Sequence, residues 1–277
     1  MIDIITLASK EFRDGYRNRW IIVMTVVMAA LALILALLGS APVGSTKISA
    51  LAVTVVSLSS LSIFFIPLIA LLLSYDSIVG EDERGTLTLL LAYPVSRLSI
   101  VIGKFIGQFL LLSFAVIVGY GVATLAIALS ADMPFLEQQW LIFLKLLLSS
   151  ILLGAAFLAL GILLSAGMKE RGTAAAGAIG LWLLFVVFFD MALLGFLTSV
   201  GGDLISDGAV KWLMLANPAD AYRMFNLTAN ADTALLSGMA GLRGDQGVAA
   251  STLLMLLVLW IIIPLAGAGF VFRRRPL

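Results

Sequence analysis

The chain has 277 residues and a formal net charge of +1, with 62% hydrophobic and 12% charged side chains. A soluble protein carries about a quarter charged residues, so this composition excludes an ordinary water-soluble domain and indicates a polytopic membrane protein. Cys and His are both absent, which excludes disulfides, thiolate metal sites and imidazole-based catalysis.

In chain order, residues 1–19 are charged and amphipathic. Ile5, Ala8, Phe12 and Tyr16 recur at spacings of three and four, while Lys10, Arg13, Asp14 and Arg17 lie elsewhere. This spacing predicts a helix lying in the membrane interface, apolar side in lipid. A first span covers 20–38; it is long enough to cross and lacks the small-residue cleavage site of a secretory signal. A Gly/Ser/Pro loop leads to the second span, 51–75, kinked at Pro67. Residues 75–97, YDSIVGEDERGTLTLLLAYPVSR, form the most distinctive polar stretch of the chain. Glu81, Asp82 and Glu83 precede a short predicted helix over 85–92, where acidic groups complement the helix start. Pro94 ends it, and Leu87, Leu89, Leu90 and Leu91 are its apolar residues to bury.

The third span covers 98–129. In it Gly103 and Gly107 form a small-xxx-small pair that lets another helix come close. The fourth span is 140–166, followed by the charged loop 168–172. The fifth is 173–197. A long polar segment, 198–247, precedes the sixth span at 248–270, and Arg273, Arg274 and Arg275 stand near the end. Six spans place both termini on one side. Of the 17 basic residues, all but Lys47, Lys145, Lys211, Arg223 and Arg243 fall on that side, so both termini are expected in the cytoplasm. Segments 75–97 and 168–172 then face the cytoplasm, and 198–247 faces outward. No internal repeat marks an inverted-repeat transporter.

The chain shows no means of using ATP. Gly103-Lys104 is followed by Phe105, and Leu98 stands where a phosphate loop needs its first Gly. Any work is therefore driven by a partner or an ion gradient. Asp190 is the carboxylate well inside a span, either an ion-coupling group or a bond within the bundle. Lys104 and Lys145 lie near span ends, where lysines snorkel to the interface. Ten Met residues raise copper as a ligand, but Met191, Met214 and Met224, the set that folding could gather, are scattered in sequence. Met is more often a core filler, and no metal ligand is assigned. Asn226-Leu227-Thr228 matches a common glycosylation triplet.

The run Glu81-Asp82-Glu83-Arg84-Gly85-Thr86-Leu87, then Leu89 to Leu91 and Pro94-Val95-Ser96-Arg97, resembles the ABC-2 class of ABC transporter permeases. The amphipathic start and the six spans fit the same class, so the resemblance covers essentially the whole chain. It implies an all-α, type V exporter-like permease with one transmembrane domain over 1–277. It also implies a homodimer in the bacterial inner membrane, with no cofactor of its own. ATP and Mg would belong to a separate ATPase. Segment 75–97 together with NPADAYRMFNL at 217–227 is similar to the permeases that serve copper-site maturation of periplasmic nitrous oxide reductase. Their partners would be a NosF-like cytoplasmic ATPase and a NosD-like periplasmic protein. Segment 76–97, with Asp76, Glu81, Asp82, Glu83, Gly85, Thr86 and Arg97, would seat in the ATPase as its coupling element.

Segment 198–247 would dock the periplasmic partner. Asn217, Pro218 and Asp220 would shape it, Trp212, Tyr222 and Phe225 would serve as aromatic anchors, and Arg223 would lie among them. The alternative for these aromatics is a belt at headgroup level. Other functions remain open: an ABC-2 exporter of a drug, lipid or polysaccharide, an ion-coupled secondary transporter using Asp190, or a membrane enzyme.

Overall fold

The computed structural model describes residues 4–17, 19–38, 50–130, 137–200, 212–228 and 248–275, and all regular structure among them is helical. Helix α1 (Ile4–Arg17) leads into α2 (Arg19–Leu38) and α3 (Ala50–Ser74). Two short helices follow, α4 (Val79–Glu83) and α5 (Thr86–Leu91), and then α6 (Arg97–Ser130) and α7 (Glu137–Gly167). The next stretch runs without a break through α8 (Arg171–Leu183), a π-helical turn (Leu184–Phe188) and α9 (Phe189–Val200). Helices α10 (Pro218–Leu227) and α11 (Ala250–Arg274) complete the described chain.

Among the described residues, five stretches are long and apolar enough to cross a membrane: Val55–Glu83, Arg97–Leu125, Trp140–Gly167, Arg171–Phe196 and Ala250–Arg274. Helix α2 adds a further apolar helix of 20 residues, about 30 Å at the α-helical rise. The protein is therefore an all-α polytopic membrane protein, and its long helices follow the apolar runs of the sequence. Pro67 and Pro264 lie inside α3 and α11 without ending either helix.

Helix α7 is the centre of the bundle. In its most apolar window 72% of residues are buried, against 6% for the α8–α9 rod. The reason is side-chain size. The stretch GAAFLALG at 154–161 places Ala155, Ala156 and Ala159 fully inside, and small residues let neighbouring backbones approach. Helices α3 and α11 pack directly on α7, and α6 contacts it as well. Helices α1 and α2 lie against α6. The α8–α9 rod instead carries large apolar residues outward: Ile179, Leu184, Phe188, Met191 and Leu194 are all exposed.

The small pair in α6 has its partner in α1. A Cβ at Gly103 would lie 2.6 Å from the Leu7 Cβ, and one at Gly107 would lie 2.5 Å from the Glu11 Cβ and 2.7 Å from the Ala8 carbonyl oxygen. So α1 crosses α6 at two glycines, burying Leu7 and Ala8 while Ile5 and Tyr16 remain exposed. Gly107→Leu is expected to prise α1 off α6 and to cost about 1–3 kcal/mol, the usual penalty of overpacking. Amide hydrogen exchange over residues 4–17 would report it; unchanged protection of α1 would refute the crossing.

Two regions differ from the expectation drawn from sequence. The acidic residues do not cap the helix of the Leu run. They form their own helix, α4, separated from α5 by Gly85 at φ 69°, a left-handed conformation that glycine adopts without strain. And 217–227 does not form an outer surface of turns. Asn217-Pro218 starts a helix: the Asn217 Oδ1 accepts from the Ala219 N–H at 3.0 Å, and Pro218 opens the first turn. Every residue of α10 except Arg223 is buried. It folds back against α3, α7, α11 and the π turn. The rest of the expected outer segment, 201–211 and 229–247, lies outside the described residues.

Candidate functional site

The polar elbow between α3 and α6 is where the bundle's charges converge. Its apolar side is set by helical spacing. Ile78, Val79 and Leu87 are fully buried, and Leu90 and Leu91 pack beside them against Ile100, Val101, Ile162 and Phe272. Leu89 falls on the opposite side of α5 from Leu87 and is 67% exposed. Of the four leucines expected to bury, Leu87 is buried, Leu90 and Leu91 are partly buried, and Leu89 is not.

Charged pairs then fix the elbow to nearly every helix at that end. The Lys104 ammonium is 2% exposed and stands 2.8 Å from Glu11 of α1 and 2.9 Å from Glu81 of α4. Lys10 also reaches Glu81, at 3.1 Å. Burial disfavours the Lys10 ammonium, but Glu81, with Glu11 and Asp14 behind it, outweighs that and raises the Lys10 pKa above the usual lysine value. Lys104 does not snorkel outward as expected; two carboxylates on either side hold it in. Asp76 pairs with Arg171 at 2.8 Å and more loosely with Arg84 at 3.7 Å. The Arg171 backbone N–H, at the start of α8, donates to Glu83 at 2.6 Å, a favourable place for an anion. Ser165 of α7 accepts from the Ile78 and Val79 N–H groups at 2.9 and 3.1 Å.

Two arginines close the far side. Arg97, at the start of α6, donates to the carbonyls of Phe272, Arg273 and Arg275 at 2.6–3.0 Å. These carbonyls lie at the α11 end, where a cation is stabilising. Arg275 donates to Asp82 at 2.6 Å and to the Ser165 and Ala166 carbonyls at 3.3 and 3.1 Å. Of the expected coupling residues, Asp76, Glu81, Asp82, Glu83 and Arg97 thus bind within the chain. Gly85 and Thr86 are exposed, and with Arg84, Thr88, Leu89 and Tyr93 they make a solvent-facing ridge.

A second polar site lies toward the opposite end of the bundle. Arg223 of α10 pairs with Asp190 at 2.7 Å and with Asp220 at 3.1 Å. Asp190 is therefore not a lone carboxylate. The Asn217 Nδ2 donates to the Phe185 carbonyl in the π turn at 2.8 Å. The Tyr222 hydroxyl, fully buried, shares a hydrogen bond with Ser150 at 2.9 Å, and Ser150 reaches Tyr120, which also bonds Ser62. Asn226 is 4% exposed and bonds Ser149, so its glycosylation match is a packed core group. Of the residues expected at the outer partner surface, Asn217, Pro218, Asp220, Tyr222 and Phe225 are buried and Arg223 is half-buried; Trp212 is 67% exposed. Among the described residues no group of His, Cys, Asp or Glu could hold a metal ion. Met191 is exposed on α9 and Met224 buried in α10.

The family model described as ABC-2 family transporter protein matches residues 5–277. The chain belongs to the ABC-2 transporter family. It is 45% identical over 274 residues, 98% of each chain, to a probable ABC transporter permease protein NosY of Pseudomonas aeruginosa. It is 42% identical over 275 residues, 99% of each chain, to a protein of the same description from Stutzerimonas stutzeri. An ABC-2 permease is the membrane subunit of its transporter, and in this permease the charged elbow bonds to α1, α6, α7, α8 and the end of α11.

Proposed function

We propose that this ABC-2 permease transmits ATP-driven motion from a separate, NosF-like ATPase to a NosD-like periplasmic protein in the maturation of the copper sites of nitrous oxide reductase. The assignment to copper-site maturation rests on similarity to the NosY permeases; the mechanical role rests on the elbow. One side of the elbow is an exposed ridge, Arg84 to Tyr93, and the other is bonded to α1, α6, α7, α8 and α11. A push on the ridge reaches all of them, because parting the elbow from these partners would strand buried charges and hydrogen-bonding groups, which is costly. ATP and Mg bind in the ATPase. The basic end of the bundle faces the cytoplasm, with both termini there, and α1 lies in the interface of the inner membrane.

A second copy of the chain covers the α8–α9 rod. Asp190 and Arg223 are 31% and 24% exposed beside it, and a charge pair at membrane depth is better placed against protein than against lipid. Trp212 and the segment around it face the periplasmic partner. The carrying observation is Leu89, a large apolar side chain left exposed on the elbow's solvent-facing ridge. Leu89→Asp should cut ATPase binding by about 2 kcal/mol or more, roughly thirtyfold, as at an interface hot spot. The permease itself should keep its unfolding midpoint, since exposed substitutions cost within about 0.5 kcal/mol. Co-purification of the ATPase at wild-type yield and with coupled hydrolysis would sink the reading.

A further inference from the structure

A cavity of about 530 Å³ opens at the basic end, between the α7–α8 connection and the end of α11. Its lining includes Lys169, Arg274, Arg275 and Asp82, with Phe270 and Val271 as an apolar wall. The charges do not cancel. Asp82 is already neutralised by Arg275 at 2.6 Å. Lys169 and Arg274 are exposed and have no acidic partner among the described residues. The Arg274 guanidinium lies 4.1 Å from the centre of the Phe270 ring, and Phe270 is 56% exposed. The site therefore offers two unneutralised cations beside a half-exposed aromatic ring, on a helix that runs into the membrane.

We infer that this cavity binds an anionic phospholipid, its phosphate between Lys169 and Arg274 and an acyl chain along Phe270 and Val271. Free phosphate satisfies the cations but leaves the apolar wall in water; a zwitterionic lipid covers the wall but brings its own positive charge to the two cations. Basic pockets between membrane helices favour anionic headgroups, each Lys or Arg adding about a fivefold preference. Because Arg275 joins the cavity to Asp82 of α4, the bound lipid sits one ion pair away from the elbow.

The test uses the full chain in detergent micelles, titrated with phosphatidylglycerol or phosphatidylcholine of the same acyl chains and read by native mass spectrometry. Wild type should retain phosphatidylglycerol over phosphatidylcholine. The double variant Lys169→Gln, Arg274→Gln should lose roughly thirtyfold in phosphatidylglycerol affinity, two basic residues' worth, and leave phosphatidylcholine unchanged. Arg13→Gln, an exposed charge on α1, should leave both within twofold. Three outcomes would overturn the inference: undiminished phosphatidylglycerol binding by the double variant, an equal loss in Arg13→Gln, or displacement of the lipid by millimolar inorganic phosphate.

Discussion

Lys104→Met is expected to destabilise the permease by about 3–5 kcal/mol, the cost of leaving one side of a buried ion pair alone. The Lys104 ammonium, 2% exposed, is shared by Glu11 and Glu81, which are themselves 15% and 10% exposed. Without it the two carboxylates face each other, and only Lys10, half in solvent, remains to balance Glu81. Thermal unfolding of the purified permease in detergent would measure the loss. Adding Glu81→Gln to Lys104→Met removes one of the stranded charges, so the double variant should recover part of the deficit. A single variant as stable as wild type, or a double variant less stable than the single by the full cost of Glu81→Gln alone, would show that the three groups do not form one unit. The same geometry explains why charge reversal at Glu81 is a poor probe of ATPase contact. A lysine there would be a third cation beside Lys10 and Lys104, and the fold would fail before the interface was tested.

Tyr222→Ala carries the second large effect. Tyr222 is fully buried, and its hydroxyl bonds Ser150. Removing the ring leaves a cavity in the main core and costs about 3–5 kcal/mol. Tyr222→Phe keeps the ring and forfeits the hydroxyl's bonds, a loss of about 1–3 kcal/mol because the Ser150 and Tyr120 hydroxyls remain buried. A place at a partner's surface, expected for Tyr222 and Phe225 from sequence, predicts weaker partner binding with an unchanged unfolding midpoint. The structure predicts the reverse order of events: the permease loses its own stability first. Unfolding curves of Tyr222→Ala taken without any partner separate the two, and a wild-type midpoint would restore the surface role.

The long helices were legible because an apolar run of twenty or more residues has one stable fate in a bilayer. The Gly103/Gly107 pair was legible as a close crossing, but its partner was not, since sequence gives no sign that an amphipathic N-terminus docks on α6. The elbow's acidic residues were visible as a feature. Their binding partners were not, because Glu81 meets Lys104 and Lys10, and Asp82 meets Arg275, only after the helix ends have been gathered. Helix α10 was missed for a more instructive reason. Asn217-Pro218 is equally a turn signal and a helix start. Asp220, Arg223 and Asn226 then recur every third residue, which reads as a solvated face rather than a buried one. What buries them is pairing: Asn217, Asp220, Tyr222 and Asn226 each find a polar partner inside the bundle.

The π turn at Leu184–Phe188 has the arithmetic of a gear with one extra tooth. Each residue of an α-helix turns the chain by about 100°, and a π turn accommodates one more residue per loop of hydrogen bonds. Everything from Phe189 onward is therefore dialled round relative to α8 by that one residue. Rewinding these five residues as regular α-helix, with none removed, would swing Asp190 through most of one residue's rotation, about 100°, out of reach of the Arg223 guanidinium 2.7 Å away. Arg223 would then be left with Asp220 alone, and the Phe185 carbonyl that now receives Asn217 would return to its own helix. The azimuth of the second half of this rod is thus stored in the winding of one turn, and a chain one residue shorter there could hold Asp190 in place only by closing that turn to regular α-helix.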